Sequence, residues 1–281
     1  MTEPRLSCGS IFASAKAMIG RVRIAAGLTV AAVTTFPMAA AQIVVMKTGI
    51  ANEATLPRLW HKLVLRILGM KLHVTGEPAR GRPLLVAANH ISWTDIMVIG
   101  AVADVHFVAK SEMGGWPIIG KLSRLQRTIY VDRDRRPKSG EQVSEIGQRL
   151  SEGDAMVFFA EGSTSDGNVM QPFKSTLFGA AQIALRESAT EKVYVQPVAI
   201  AYTRLHGIPM GRYQRPHAAW IGDRKLVRHI LALLADGAVD VEVRFGEPIE
   251  FEPGSDRKKL AAAARSRVRD MMVSALRNPQ K

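Results

Sequence analysis

Pro83-Leu84-Leu85-Val86-Ala87-Ala88-Asn89-His90-Ile91-Ser92-Trp93-Thr94-Asp95 is the stretch on which the fold turns. Pro83 to Ala88 is a short apolar run that reads as a strand. It ends at Asn89-His90, and Ser92 is placed to cap a helix that carries Asp95 in its first turn. Val105 to Ala109, Thr128 to Val131, Ala155 to Phe159, Val193 to Ala201 and Val239 to Phe245 read as further strands. Ser139 to Glu152, Ser175 to Glu187 and Asp256 to Leu276 read as helices between or after them. Strands alternating with helices predict an α/β fold, a mixed sheet flanked by helices with its site at the strand ends. A chain of 281 residues buries a full core as one such domain. The expected division is residues 1–50 as an N-terminal membrane anchor region, 51–75 as a basic amphipathic helix, and 76–281 as the domain that carries the chemistry.

Ile24 to Met46 form 23 uncharged positions between Arg23 and Lys47, enough helix to cross a bilayer core of about 30 Å. Gly27, Thr29, Thr34, Thr35, Pro37 and Gln42 make the run only weakly apolar. A spanning or re-entrant anchor, a cleaved signal ending near Ala39-Ala40-Ala41, and a buried helix all fit it. In the next segment Leu56, Leu59, Trp60, Leu63, Val64, Ile67 and Leu68 recur at three- and four-residue spacing, with Arg58, Lys62, Arg66 and Lys71 largely on the other face. Such a helix packs on a core or lies in a membrane interface. Trp60 beside Lys62, directly after a membrane-length run, favours the interface.

The balance of 38 Lys+Arg against 25 Asp+Glu, a net charge of +13, attracts polyanions: nucleic acid or an anionic bilayer. Aromatics make up 6% of the chain and no module interleaves them with cations, which argues against nucleic acid and for membrane lipids. Cys8 is the single cysteine, so no internal disulfide forms, and no H-x₃-H, H-E-x-x-H or cysteine cluster offers a metal site. The body is expected to face the cytosol, membrane-associated at the cytoplasmic face of an inner membrane.

A histidine at a strand end can meet a carboxylate five residues later. If Asp95 accepts from one ring nitrogen of His90, the other becomes a base for a substrate hydroxyl. Taken alone, the spacing favours a structural histidine beside a capping aspartate. His61, His106, His206, His217 and His229 lack such a partner at useful spacing, apart from His106 beside Asp104, and read as structural.

The wider pattern resolves the ambiguity. Asn89-His90-Ile91-Ser92-Trp93-Thr94-Asp95 resembles the NHxSxxD motif of the glycerolipid acyltransferase family, whose best-known members are the 1-acylglycerol-3-phosphate acyltransferases. Lys110-Ser111-Glu112 with Trp116-Pro117 and Gly120 looks like the family's lysine-containing connector. Ile129-Tyr130-Val131-Asp132-Arg133 looks like its second motif, Phe159-Ala160-Glu161-Gly162-Ser163-Thr164-Ser165 like its FPEGTRS motif, and Val195-Gln196-Pro197-Val198 like its proline-interrupted strand. The resemblance implies transfer of a fatty acyl chain from acyl-ACP or acyl-CoA, as co-substrate rather than cofactor, to a lysolipid hydroxyl. It implies His90, Asp95 and Glu161 as catalytic residues, and Asn89, Ser92, Lys110, Arg127, Arg133, Gly162, Ser163 and Thr164 as substrate-binding residues. Backbone amides of the Glu161-Gly162-Ser163 loop are expected to face a tetrahedral oxyanion. No acyl-enzyme is expected, because there is no G-x-S-x-G elbow and Cys8 lies far from the motifs.

Three departures bear on the acceptor. Thr164 stands where the family's arginine binds phosphate, Arg127 where a glycine is usual, and Ala160 where proline is usual. A hydroxyl cannot replace a bidentate guanidinium, so a phosphate would have to be held through Lys110, Arg127 and Arg133. The segments Gly115-Trp116-Pro117, Arg124 to Thr128, Ser163 to Gly167 and Ala201-Tyr202-Thr203-Arg204-Leu205-His206-Gly207 resemble the bacterial lyso-ornithine lipid acyltransferase branch, whose zwitterionic acceptor needs no phosphate clamp. That acceptor is favoured, with 1-acylglycerol-3-phosphate as the alternative. A basic membrane- or nucleic-acid-binding protein without activity is the reading from another class.

Overall fold

The computed structural model of the protein describes residues 8–131, 139–187 and 191–280. In chain order the elements are α1 (Cys8–Thr48), α2 (Thr55–Ile67), β1 (Met70–Thr75), β2 (Leu84–Ala88), α3 (Thr94–Val102), β3 (His106–Lys110), α4 (Ser111–Gly114), α5 (Ile119–Arg124) and β4 (Ile129–Val131). They continue as α6 (Ser139–Ser151), β5 (Ala155–Phe159), α7 (Gly179–Glu187), β6 (Val193–Leu205), β7 (Ile208–Pro209), α8 (Leu226–Asp236), β8 (Val239–Phe245), β9 (Ile249–Phe251) and α9 (Arg257–Arg277).

The sheet runs β1-β8-β6-β2-β5-β3-β4, with β7 and β9 also paired to β6. From β6 to β4 the strands are parallel, while β8 is antiparallel to β6 and β1 parallel to β8. This is the expected mixed α/β sheet. The apolar run that begins the motif makes β2, between β5 and β6, and all five of its residues are buried. Leu84, Val86 and Ala88 pack on one face with Leu65 of α2, Val98 of α3 and Leu233 of α8; Leu85 and Ala87 pack on the other with Ile146 of α6, Ala181 of α7 and Ala264 of α9. Pro197 sits in a central strand without breaking it. On its side away from β2, β9 pairs up to Val195 and β8 from Val198, and the Pro197 carbonyl in the gap accepts the Gly246 N–H at 2.9 Å.

Several boundaries correct the sequence reading. The helix drawn through Lys71 ends at Ile67, and Gly69, at φ +69°, turns the chain into β1. Met70 to Thr75 therefore belongs to the sheet, where it pairs β8 as an edge strand. Its Met70, Leu72 and Val74 continue the apolar count of the helix, which hides the change of period. The helix read from Ser175 begins at Gly179, β6 runs on to Leu205, and α8, β7 and β9 are additions. Ser92 is not the cap of α3: that position is Trp93, in helical conformation with no side-chain cap.

α1 contains an 18-residue window of mean hydropathy 1.8 and is long enough to cross a membrane. It also packs along the body. Arg23 donates to the Leu234 carbonyl, Gly27 lies against Leu234 and Ile67, and Gln42 donates to the carbonyls of Glu53 and Leu125. The Trp60 indole donates to Thr35 Oγ1 at 2.9 Å, so its N–H points into the α1–α2 seam rather than toward a headgroup layer. Three of the residues that weaken the apolar run, Gly27, Thr35 and Gln42, are among those that touch the body. Val22, Val33 and Phe36 on its outer face are 63, 66 and 70% exposed.

Candidate active site

Parallel neighbours bring their carboxyl-terminal ends to one edge, and Ala88 of β2 is in register with Phe159 of β5. His90 and Glu161 each lie two residues past those ends, so the sheet itself sets the two motifs side by side. The Ala160 N–H donates to the Ala88 carbonyl (2.9 Å), and the His90 carbonyl accepts from the N–H of Ser165 (2.8 Å) and its hydroxyl (3.1 Å).

His90 Nδ1 lies 2.8 Å from Asp95 Oδ2. The same oxygen accepts the N–H of Ile91 (2.6 Å) and Ser92 (2.9 Å), while Oδ1 accepts the Tyr202 hydroxyl at 2.7 Å. Four donors thus converge on a carboxylate with no exposed surface. With Asp95 acting as acceptor, Nδ1 carries the proton and Nε2 offers a lone pair outward; the His90 side chain is 18% exposed. The ring stacks on Phe159 with centroids 4.0 Å apart and planes 11° apart, which fixes its second degree of freedom.

Glu161 is buried and ties the loops together. Its Oε1 accepts the His90 N–H at 2.7 Å and its Oε2 the Gln171 N–H at 2.5 Å. Burial pushes this carboxyl up to about 7, against the pull of those two amide donors; the charge on Asp95 adds to the rise. Burial, and after it Asp95, raises the Tyr202 phenol well above its ordinary value, so Tyr202 stays a donor.

The structure sorts the remaining expected site residues. Ser92 serves the dyad through its backbone N–H. Asn89 is fully buried and its amide bonds both ways to the Ile200 backbone, a staple between β2 and β6 rather than a ligand contact. Thr164 donates its hydroxyl to the Trp220 carbonyl at 2.5 Å, and Trp220 N–H returns to the Ile91 carbonyl, so Thr164 pins a loop rather than a headgroup. Gly162 turns its N–H back onto the Phe159 carbonyl (3.1 Å), which removes it from the expected oxyanion donors. Ser163 is exposed on the same loop. Lys110 ends β3 at the His90 edge and pairs with Glu112 at 2.7 Å. Arg127 precedes β4 and so lies at the opposite edge, paired with Glu53 and Asp154 at 3.7 and 3.8 Å. Arg133 lies outside the described residues. Tyr202 and Gln171 were given no role from sequence; nothing in an apolar strand pattern marks one tyrosine as a partner for a carboxylate 107 residues away.

The sequence profile described as Acyltransferase matches residues 71–201, which span both motifs and the strands that present them. A lyso-ornithine lipid O-acyltransferase of Brucella abortus is 48% identical over 259 residues, 92% of this chain and 97% of that protein. The lyso-ornithine lipid O-acyltransferase of Rhizobium meliloti is 45% identical over 92% of this chain and 89% of its own. Among solved structures, the 1-acyl-sn-glycerophosphate acyltransferase PlsC of Thermotoga maritima superposes with a TM-score of 0.63 at 20% identity, over 95% of this chain and all of that one, which establishes the fold. By that profile and those relatives, this chain belongs to the acyltransferase family, among the relatives that carry the name lyso-ornithine lipid O-acyltransferase.

Proposed function

We propose that the protein acylates the free hydroxyl of a lysolipid, with lyso-ornithine lipid as the favoured acceptor and acyl-ACP or acyl-CoA as donor, at the cytoplasmic face of an inner membrane. The observation that carries the chemistry is the open Nε2 of a histidine whose other nitrogen is held by a saturated carboxylate. Nε2 takes the proton of the acceptor hydroxyl as its oxygen attacks the thioester carbonyl. The tetrahedral oxyanion collapses, the C–S bond breaks, and the departing thiolate takes the proton back from Nε2. His90 ends neutral and the products are an ester and a thiol. Asp95 stabilises the transient imidazolium, and the Phe159 stack keeps its ring in one plane. The acceptor preference is supported by the relatives' names and by the engagement of Thr164 with backbone, which leaves no bidentate phosphate fork at that position.

Membranes containing the protein, long-chain acyl-ACP or acyl-CoA, and either lyso-ornithine lipid or 1-acylglycerol-3-phosphate provide the test. Ornithine lipid is the expected product. Phosphatidic acid alone would move the acceptor to the phosphate class, and no ester from either would break the reading.

A further inference from the structure

The acidic loop of the site is overlaid by a cation that no motif reading selected. Gly162 sits at φ +80°, and a Cβ built there would lie 2.7 Å from both Cε and Nζ of Lys174. The glycine is what lets the lysine stem descend onto the backbone one residue past Glu161. Position 174 is fixed from behind, because the Lys174 N–H donates to the Ala160 carbonyl at 2.8 Å. Its side chain is exposed, and among the described residues nothing engages the ammonium. The neighbouring cations are engaged: Arg265 donates to the carbonyls of Met170 and Gln171, Arg215 to Asn168 Oδ1, and Lys110 pairs with Glu112.

We infer that Lys174 is the specificity-determining cation of the acceptor site, receiving the anionic group of the lysolipid head. The inference rests on the reading of the protein as a lysolipid acyltransferase. A flexible ammonium is a point charge with three rotatable donors, suited to a single carboxylate, where a guanidinium fork suits a phosphate. The chemistry recognised is an oxyanion on the acceptor: the α-carboxylate of an amino-acid headgroup or a phosphate monoester. Lys174 touches that group and not the reacting hydroxyl, so it governs KM for the acceptor and leaves kcat to the dyad.

The test compares wild type, K174M and K174R on lyso-ornithine lipid, its carboxyl methyl ester and 1-acylglycerol-3-phosphate, all in nonionic detergent, with both turnover and direct acceptor binding measured. K174M is expected to raise acceptor KM and Kd roughly 10- to 100-fold, as for loss of a charge-assisted contact, with kcat within about threefold. K174R restores most of the affinity, and donor KM does not move. On the methyl ester, wild type and K174M should be equally weak, since the partner is already gone. An effect confined to the phosphate acceptor assigns the same role with phosphate as the anion. Unchanged acceptor KM and Kd in K174M, a loss carried by kcat or donor KM alone, or an equal penalty on the methyl ester each overturn the inference. Wild-type binding without turnover breaks the reading of the reaction and leaves the binding comparison decisive for Lys174. Failure of wild type to bind any of the three acceptors breaks both.

Discussion

At the carboxyl-terminal edge of the sheet His90 meets Asp95, and at the opposite edge His106 meets Asp154. Their exposures are nearly equal, 18% for the His90 side chain and 17% for His106. Burial therefore does not separate them. The difference lies in what each ring nitrogen touches. His106 gives its Nδ1–H to the Gln126 carbonyl at 3.0 Å, so the lone pair of Nε2 is turned toward Asp154, 3.6 Å away, and not toward an open site. Asp154 in turn is shared with Arg149 and Arg127, and burial lowers His106 from its ordinary value. His90 spends one nitrogen on a carboxylate that three other donors hold still, and keeps the other. On the proposed mechanism the working base is the ring whose lone pair faces outward and whose carboxylate has no cation to serve.

Exchanging each histidine tests that contrast most strongly. His90→Ala is expected to lower kcat roughly 10²–10⁴-fold, the contribution of a placed general base, with the fold retained at a stability cost of about 1–3 kcal/mol for the lost donor to buried Asp95. His106→Ala should carry a similar stability cost, about 1–3 kcal/mol through the unpaired carbonyl and the disturbed Asp154 network, but keep turnover within about threefold. Comparable kcat losses in the two variants would erase the distinction between the edges.

Tyr202→Phe sharpens it at smaller scale. Removing one of four donors to Asp95 is expected to lower kcat about fivefold with acceptor KM unchanged, the size of one net hydrogen bond of about 1 kcal/mol. A lowered melting temperature with wild-type kcat would make the tyrosine a packing residue only. Smallest of all, Arg127→Met at the far edge removes two long, partly exposed ion pairs. It should cost at most about 1 kcal/mol of stability and leave acceptor KM untouched. A raised KM would return Arg127 to the acceptor site from which its position removes it.

How much of this was legible depended on the distance over which a contact is made. The strand ends, the meeting of His90 with Asp95 and the nearness of Glu161 follow from short spacings and from parallel strands that deliver their ends to one edge. Arg127 was assigned to the acceptor because it stands beside a motif in sequence. The direction of β4 decides otherwise: the residue before a strand parallel to β2 lies at the far edge, and the residue after it at the near one. That inference needs the sheet order, which no local pattern supplies. β1 was hidden for another reason. Its burial follows from pairing with β8, about 170 residues on, while its own apolar spacing prolongs the preceding helix. Lys174 escaped because its meaning comes from a missing Cβ at Gly162, and a glycine in a loop announces nothing about which side chain fills the space it leaves.

α1 has a practical implication for handling the protein. Its inner face is fastened by Arg23, Thr35 and Gln42 to α8, α2 and the turn after α5, so cutting the chain after it would bare Leu234, Trp60 and the Leu125 carbonyl together. A truncated version trades one sticky surface for another. Polar side chains at the outward residues Val22, Val33, Phe36 and Val44 would shrink the exposed apolar face and leave every one of those fastenings intact.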